Sequence, residues 1–161
     1  MRNLTGKSLL LAAALVLGGA LAAHAAGSSS KDDEADDNFA AGVKAVKAGD
    51  FPGAVTLLGK VVQKDPKNAD AWNYIGFADR KLGKFPDSLA AYEKALAIQP
   101  NHLGANEYLG ELYVQTGEGA KANQQLAKLE KLCGTSCDEF KELKTAISSG
   151  KAAMLDTTDT K

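Results

Sequence analysis

Residues 69–102, ADAWNYIGFADRKLGKFPDSLAAYEKALAIQPNH, contain two runs of apolar residues at helical spacing. The first run lies within residues 72–83 and the second within residues 89–96, with a Gly-Lys-Phe-Pro turn between them and Pro100 at the end. Apolar residues that recur three and four positions apart lie on one face of a helix. The pattern therefore predicts a helix, a tight turn and a second helix that packs on the first through a shared apolar side.

The same pattern recurs along the chain at a period of 34 residues. We therefore predict three consecutive units, at residues 35–68, 69–102 and 103–136, and a final unpaired helix at residues 137–149. Such units bury their apolar faces only by stacking on their neighbours, and an unpaired last helix covers the end of the stack. The shared residues are a turn glycine and, in two units, a Phe-Pro pair: Gly49, Phe51 and Pro52, then Gly83, Phe85 and Pro86, then Gly117.

The unit resembles the tetratricopeptide repeat, whose signature is Trp-x2-Leu-Gly-x2-Tyr, then Ala-x3-Phe, then Pro, within 34 residues. Trp72, Gly76 and Pro100 fill signature positions, whereas Asp79 replaces the usual Tyr and Ser88 the usual Ala. The third unit fills the first half of the signature with Leu109, Gly110 and Tyr113. The resemblance implies an all-α fold, a tetratricopeptide superhelix (an α-solenoid) of three helix-turn-helix repeats with a C-terminal capping helix.

The first 25 residues have the pattern of a secretory signal peptide. Arg2 and Lys7 precede an apolar run at residues 9–17, and residues 23–25 form a small-x-small cleavage site. The alternative is a retained membrane anchor, but the run is short and ends in two glycines, which favours cleavage. We therefore predict export to a bacterial periplasm or secretion, with no integral membrane segment after cleavage.

Polar segments flank the repeats on both sides. Residues 26–34 predict a flexible acidic linker, and residues 150–161, which lack an apolar period, predict a flexible tail. The acidic cluster at residues 32–37 is interpreted as a helix start, because carboxylates there complement the helix dipole. Its spacing differs from that of a calcium-binding loop.

The composition argues against several classes of function. The chain has 19 basic and 20 acidic residues, so it lacks the basic patch that nucleic-acid binding requires. Beyond the signal peptide His102 is the remaining histidine, and we expect it to be a solvated turn residue. The repeated glycines do not form a phosphate-binding loop. We therefore predict a protein that is not an enzyme and has no cofactor and no metal site.

Cys133 and Cys137 are the two cysteines of the chain. In an exported protein the expected state of such a pair is a disulfide, here linking the third unit to the final helix. A redox-active dithiol is an alternative, although the spacing is Cys-x3-Cys rather than Cys-x-x-Cys. Metal binding is disfavoured because no His or further Cys lies nearby in the sequence.

In tetratricopeptide proteins the first helices of successive repeats line a concave groove that holds a partner. The resemblance places nine residues of this chain there: Phe39, Val43 and Val46, then Asn73, Phe77 and Arg80, then Glu107, Glu111 and Val114. Val46 and Val114 are equally compatible with packing. Phe39 and Phe77 are predicted to lie off the core as aromatic anchors, Asn73 to bond a peptide backbone, and the charged residues to set polarity.

Some members of the family hold a C-terminal carboxylate with a clamp of Lys, Asn and Arg. The corresponding positions here carry Phe39, Val43, Tyr74, Gly104 and Tyr108, so recognition of that type is not expected. A groove that is apolar at one end and acidic at the other favours a segment with an apolar stretch and positive charge. We therefore predict a scaffold or adaptor of the cell envelope that binds a protein or peptide.

Two other functions are compatible with the sequence. One is a thiol–disulfide activity of Cys133 and Cys137, and the other is a structural role in which the array assembles with itself. The sequence specifies neither the partner nor the oligomeric state.

Overall fold

A computed structural model describes residues 31–156, with side chains described for residues 37–150. This part of the chain forms seven α-helices: α1 (Lys31–Ala48), α2 (Phe51–Lys64), α3 (Ala69–Lys81), α4 (Phe85–Ile98), α5 (Leu103–Gln115), α6 (Gly119–Cys133) and α7 (Asp138–Asp156). No helix in this range combines the length and apolar character needed to cross a membrane. The predicted signal peptide, residues 1–25, lies outside the described residues.

The helices form two layers. Each odd-numbered helix packs on the helix that follows it, giving the pairs α1–α2, α3–α4 and α5–α6, and α7 packs on both α5 and α6. The odd-numbered helices also contact one another in succession, from α1 to α7. The all-α fold of three helix pairs and a last helix is therefore confirmed.

The bounds of the first and last helices differ from the predicted limits. Helix α1 begins at Lys31, inside the predicted linker of residues 26–34, because the acidic residues that follow favour a helix N-terminus. Helix α7 continues to Asp156, inside the predicted tail of residues 150–161. The sequence Ala-Ala-Met-Leu at residues 152–155 favours helix, and this propensity outweighs the missing apolar period.

Three clusters of buried apolar side chains run along the array. The N-terminal cluster contains Ala54, Leu58, Val61, Val62, Ala71, Ile75, Ala78 and Ala91. The middle cluster contains Tyr92, Leu109 and Leu112. The C-terminal cluster contains Ala122, Leu129, Phe140, Leu143 and Ile147. Because each cluster joins elements of neighbouring units, stacking provides the core, as expected for repeated helix pairs.

Close packing of α3 on α4 depends on Gly76. A Cβ atom at this position would lie 2.6 Å from a ring carbon of Tyr92, whose side chain is fully buried. Beside it, the Ser88 hydroxyl donates a hydrogen bond of 2.8 Å to the carbonyl oxygen of Gly76. Ser88 therefore has a structural reason to replace the usual alanine, because it ties the two helices together.

We expect Gly76→Ala to destabilise the fold. Overpacking a well-filled site costs about 1–3 kcal/mol, partly offset by the roughly 1 kcal/mol higher helix propensity of alanine. Gly59→Ala is the matched control, because a Cβ atom there would meet nothing within 4 Å; it should stabilise the protein by about 0.5–1 kcal/mol. Urea unfolding of both variants measures the difference, and a shift of the same sign in both would contradict this account.

The last helix closes the array against α5. A Cβ atom on Gly110 would collide with the side chain of Leu143, so α7 packs directly on α5 at this glycine. In the first two pairs the equivalent glycines, Gly42 and Gly76, instead meet a residue of their own second helix, Leu58 and Tyr92. Helix α7 therefore occupies part of the apolar surface that the first two helix pairs cover with their own second helices.

His102 is not the solvated residue that we expected. It is 9% exposed and caps α5, with its Nδ1 accepting a hydrogen bond of 3.2 Å from the backbone N–H of Ala105. Its Nε2 lies 2.9 Å from Oδ1 of Asp70, in the first turn of α3. Since Nδ1 accepts a hydrogen bond, Nε2 carries the ring hydrogen and donates a hydrogen bond to Asp70. The ring thus joins the second unit to the third.

Replacing His102 by alanine should lower the free energy of unfolding by about 1 kcal/mol, because a helix N-cap acceptor is lost. His102→Asn keeps a side-chain acceptor for α5 and should lose less. Thermal unfolding of the two variants tests the cap, and equal losses would indicate that the contact with Asp70 dominates.

Candidate functional site

Four aromatic side chains line one side of the odd-numbered helices, which we call the inner face. The rings of Phe39 on α1 and Tyr74 on α3 are 6.1 Å apart in an edge-to-face arrangement. The rings of Phe77 on α3 and Tyr108 on α5 are 5.0 Å apart. All four are partly exposed, and each pair bridges two successive helices. We call these four residues the aromatic row.

The members of the row differ in their relation to the core. Phe39 and Tyr74 pack against the N-terminal cluster, and Tyr108 packs against the middle cluster. Phe77 belongs to none of the three clusters, although its ring also meets Phe51 at 6.2 Å. The prediction that Phe39 lies off the core is therefore wrong, because its ring covers the junction of α1 and α3. Phe77 remains available as an anchor.

The predicted valines also separate into two groups. Val46 packs against the N-terminal cluster and Val114 against the C-terminal cluster, so packing explains both. Val43 is partly exposed and belongs to none of the three clusters, and its place on the inner face stays a prediction.

Arg80 is committed to contacts within the domain. It is 4% exposed, and its Nη2 lies 2.5 Å from Oε2 of Glu111 on α5. Its guanidinium also lies over the rings of Phe77 and Tyr108, at 5.3 and 5.8 Å from their centroids. The prediction that these two charges set the polarity of the groove for a partner is therefore incomplete, because each largely neutralises the other.

Asn73 and Tyr108 provide polar groups on the same surface. Asn73 is 5% exposed, and its Oδ1 has no hydrogen-bond partner among the described residues. Burial, followed by the charge of Glu107, raises the pKa of Tyr108 to about 12, so its phenol keeps its proton and can donate. That Asn73 bonds a peptide backbone stays a prediction.

Glu107 is buried at the acidic end of the inner face. It is 3% exposed, and its Oε1 has no hydrogen-bond partner among the described residues. Burial raises its pKa to about 9, with further contributions from a hydrogen bond to Glu142 and from the charges of Glu142, Glu111 and Glu139. At neutral pH the Glu107 carboxyl is therefore protonated.

A cavity lies between α5 and α7. Its volume is about 390 Å³, and it opens to solvent. Glu142 connects it to Glu107, and the lining residues are Glu111, Lys141, Glu142, Thr145 and Ala146. We call this the α5–α7 cavity.

The sequence reasoning missed Tyr74, Tyr108 and Glu142 as members of the inner face. Tyr74 and Tyr108 occupy repeat positions at which some members of the family carry the carboxylate clamp described above. Their position within the 34-residue repeat therefore already pointed to this surface. Glu142 had no such signal, because it lies on the unpaired last helix and reaches α5 only through the packing of α7.

Cys133 and Cys137 lie at the turn from α6 to α7. Their Cα atoms are 5.9 Å apart, within the span of about 4.4–6.8 Å that a disulfide requires. The carboxylate of Glu139 also lies within 4.8 Å of both sulfur atoms. Three donors are one fewer than a closed tetrahedral zinc site uses, and oxidised cysteines offer no thiolate.

Comparison with known sequences identifies the repeat. Residues 69–102 match the sequence profile of the tetratricopeptide repeat, and residues 39–78 match a second profile of the same description. The chain contains tetratricopeptide repeats. Together these matches cover residues 39–102, which include most of α1 and all of α2, α3 and α4.

Similar proteins share these repeats over a limited length. The human PEX5-related protein is 30% identical over 79 residues, which are 49% of this chain and 13% of that protein. The TPR2B domain of yeast Sti1, solved in complex with pHsp70, has a TM-score of 0.66 at 21% identity and covers 74% of this chain and 98% of its own. The chaperone SycD of Yersinia enterocolitica was solved with a peptide of the translocator YopD. It has a TM-score of 0.63 at 20% identity, and the match covers 76% of this chain and 93% of the SycD chain. At these identities the solved structures show the fold alone.

Proposed function

We propose that the inner face binds a peptide segment of a partner protein, and that the protein acts as a scaffold or adaptor without catalysis. The observation that carries this proposal is the aromatic row, in which Phe77 is partly exposed and outside the core. Aromatic side chains on a rigid surface supply large contact area at low entropic cost and are enriched among binding hot spots. Two structural neighbours, the Sti1 domain and SycD, were solved with a bound partner or peptide.

The proposal also includes the cellular compartment in which the protein acts. The signal-peptide pattern at residues 1–25 supports export, and the cell envelope is the compartment in which we expect a partner. The cysteine pair supports the same view, because disulfides persist in oxidising compartments. We propose a structural disulfide that fixes the corner between α6 and α7.

The experiment is a selection of linear peptides from a random display library, using the purified domain. The strongest peptide is then synthesised, and its affinity is measured for the wild type and for Phe77→Ala. We expect at least about a tenfold loss, which corresponds to a hot spot of roughly 1.4 kcal/mol. Ile98→Ala is the matched control, because Ile98 is a 38% exposed apolar residue of α4, outside the inner face.

Helicity and unfolding midpoint of both variants must be measured alongside affinity. A peptide that binds wild type, Phe77→Ala and Ile98→Ala equally would contradict the proposed site. If no linear peptide is enriched, the proposed function itself would be overturned.

A further inference from the structure

We propose that the partner peptide carries an acidic residue close to an apolar anchor, and that Lys81 and Lys47 bind its carboxylate while the anchor packs on Phe77. This inference deepens the proposed function and rests on it, because it names the class of peptide that the inner face selects. The occupant is specified by charge complementarity, since the positive charge beside the exposed ring makes no ion pair within the described part of the chain.

Lys81 places an ammonium group at the edge of the aromatic row. Its Nζ lies 5.2 Å from the centroid of the Phe77 ring, and the Lys81 side chain is exposed while Phe77 is partly exposed. The ion pairs found among residues 37–150 do not include Lys81. An ammonium group has three N–H donors. Lys81 can therefore bind a carboxylate while it keeps its contact with the ring.

Lys47 adds a second charge at the same end of the inner face. It shares with Lys81 a position in the 34-residue period, and each lies in the last turn of its helix, α1 or α3. Lys47 is exposed and is also missing from the ion pairs of residues 37–150. Because α1 and α3 contact each other, we place both lysines along the same edge. The third unit carries the uncharged Gln115 at this position.

The acidic residues of the predicted groove do not offset these two lysines. Glu111 pairs with Arg80, and burial raises the pKa of Glu107 to about 9, so its carboxyl is neutral at neutral pH. The prediction of a partner with positive charge treats both residues as free carboxylates. Beside Phe77 the unmatched charge is positive, which favours a partner with negative charge there.

The distance between ring and ammonium specifies the spacing within the peptide. Residues i and i+2 of an extended peptide point to the same side and lie roughly 6–7 Å apart. This spacing is close to the 5.2 Å between the Phe77 centroid and Nζ of Lys81. An apolar side chain packed on the ring therefore brings an acid two residues away within reach of the ammonium. The expected motif is an apolar residue, any residue, and then aspartate or glutamate, in either direction along the peptide.

The test is the random-library peptide selection, carried out in parallel on the wild type and two double variants. Lys47→Gln/Lys81→Gln removes the proposed contacts. Lys60→Gln/Lys64→Gln removes the same charge from exposed positions of α2 and is the matched control. We expect the wild type and the control to enrich the apolar-x-acidic motif, and Lys47→Gln/Lys81→Gln to enrich peptides without acidic preference. Helicity and unfolding midpoint of each variant are measured alongside.

Affinities of one synthetic pair of peptides make the test quantitative. The strongest wild-type peptide is compared with its analogue in which the motif acid is replaced by the corresponding amide, asparagine or glutamine. This change should weaken binding to the wild type about two- to fivefold, the range of an exposed ion pair. It should leave binding to Lys47→Gln/Lys81→Gln unchanged.

The outcomes separate this inference from the proposed function. Acidic enrichment that persists in the control and disappears in Lys47→Gln/Lys81→Gln supports the inference. Enriched peptides without acidic preference in the wild type, with basic preference, or with an acidic preference that survives the loss of both lysines overturn it and leave the proposed function standing. A selection that enriches no peptide overturns the proposed function and this inference with it.

Discussion

Replacing Glu107 by glutamine is expected to remove the fall in stability that this carboxyl causes between pH 5 and pH 8. Burial raises the pKa of this carboxyl from 4.5 to about 9 in the folded protein. Between these values the unfolded chain releases the proton and the folded chain keeps it. The folded state then binds more protons, so the contribution of Glu107 to stability falls as pH rises through this window and is constant below and above it.

The size of this effect has an upper limit. One proton changes the unfolding equilibrium constant at most about tenfold per pH unit. Glu107→Gln lacks the ionisable group, so its stability should change little across the window and should exceed that of the wild type at pH 8. Urea unfolding at pH 5 and pH 8 measures both proteins, with Glu130→Gln as the charge-matched control. A wild type as stable at pH 8 as at pH 5 would show that Glu107 ionises normally.

Loss of Arg80 is expected to be the most destabilising single truncation on the inner face. Removing one partner of a buried ion pair costs about 3–5 kcal/mol, because the other charge is left without compensation. The Glu111 side chain is 23% exposed and can recover some hydration, so we expect the lower end of this range, about 3 kcal/mol. Arg80→Ala also removes the guanidinium that lies over the rings of Phe77 and Tyr108.

Lys81 offers the matched control. Its Nζ lies 5.2 Å from the centroid of the same Phe77 ring, but the residue is exposed. Lys81→Ala should therefore cost less than about 1 kcal/mol. A double-mutant cycle of Arg80→Ala with Glu111→Ala isolates the coupling energy of the pair. A coupling energy near zero would show that packing, rather than the ion pair, makes Arg80 important.

The 34-residue period was sufficient to predict the fold. Apolar spacing places the helices, and the positive φ angles of Gly49, Gly83 and Gly117, 78°, 73° and 79°, confirm the predicted turns. These features are local, so a single stretch of sequence contains the information. Tyr74 and Tyr108 share a position in the 34-residue period, although neither was predicted as a groove residue.

The environment of the charged residues could not be predicted in this way. Arg80 meets Glu111 from a different repeat, and Glu107 meets Glu142 on the last helix. Both contacts depend on how neighbouring units rotate against each other, which no local pattern encodes. His102 shows the same limit, because its partner Asp70 lies 32 residues away, almost one full repeat earlier.

Leu143 packs against Gly110, so the C-terminal end of the helix array is closed by α7. Helix α7 closes the stack with a surface whose outward residues are polar, including Asp138, Lys141, Lys144 and Ser148. Over residues 138–150, where side chains are described, α7 exposes no large apolar side chain on which another copy of the chain could continue the stack. Head-to-tail growth into a filament would require a free apolar surface at both ends. We therefore expect α7 to end the superhelix, and we expect any self-assembly to use the α1–α2 end or the inner face.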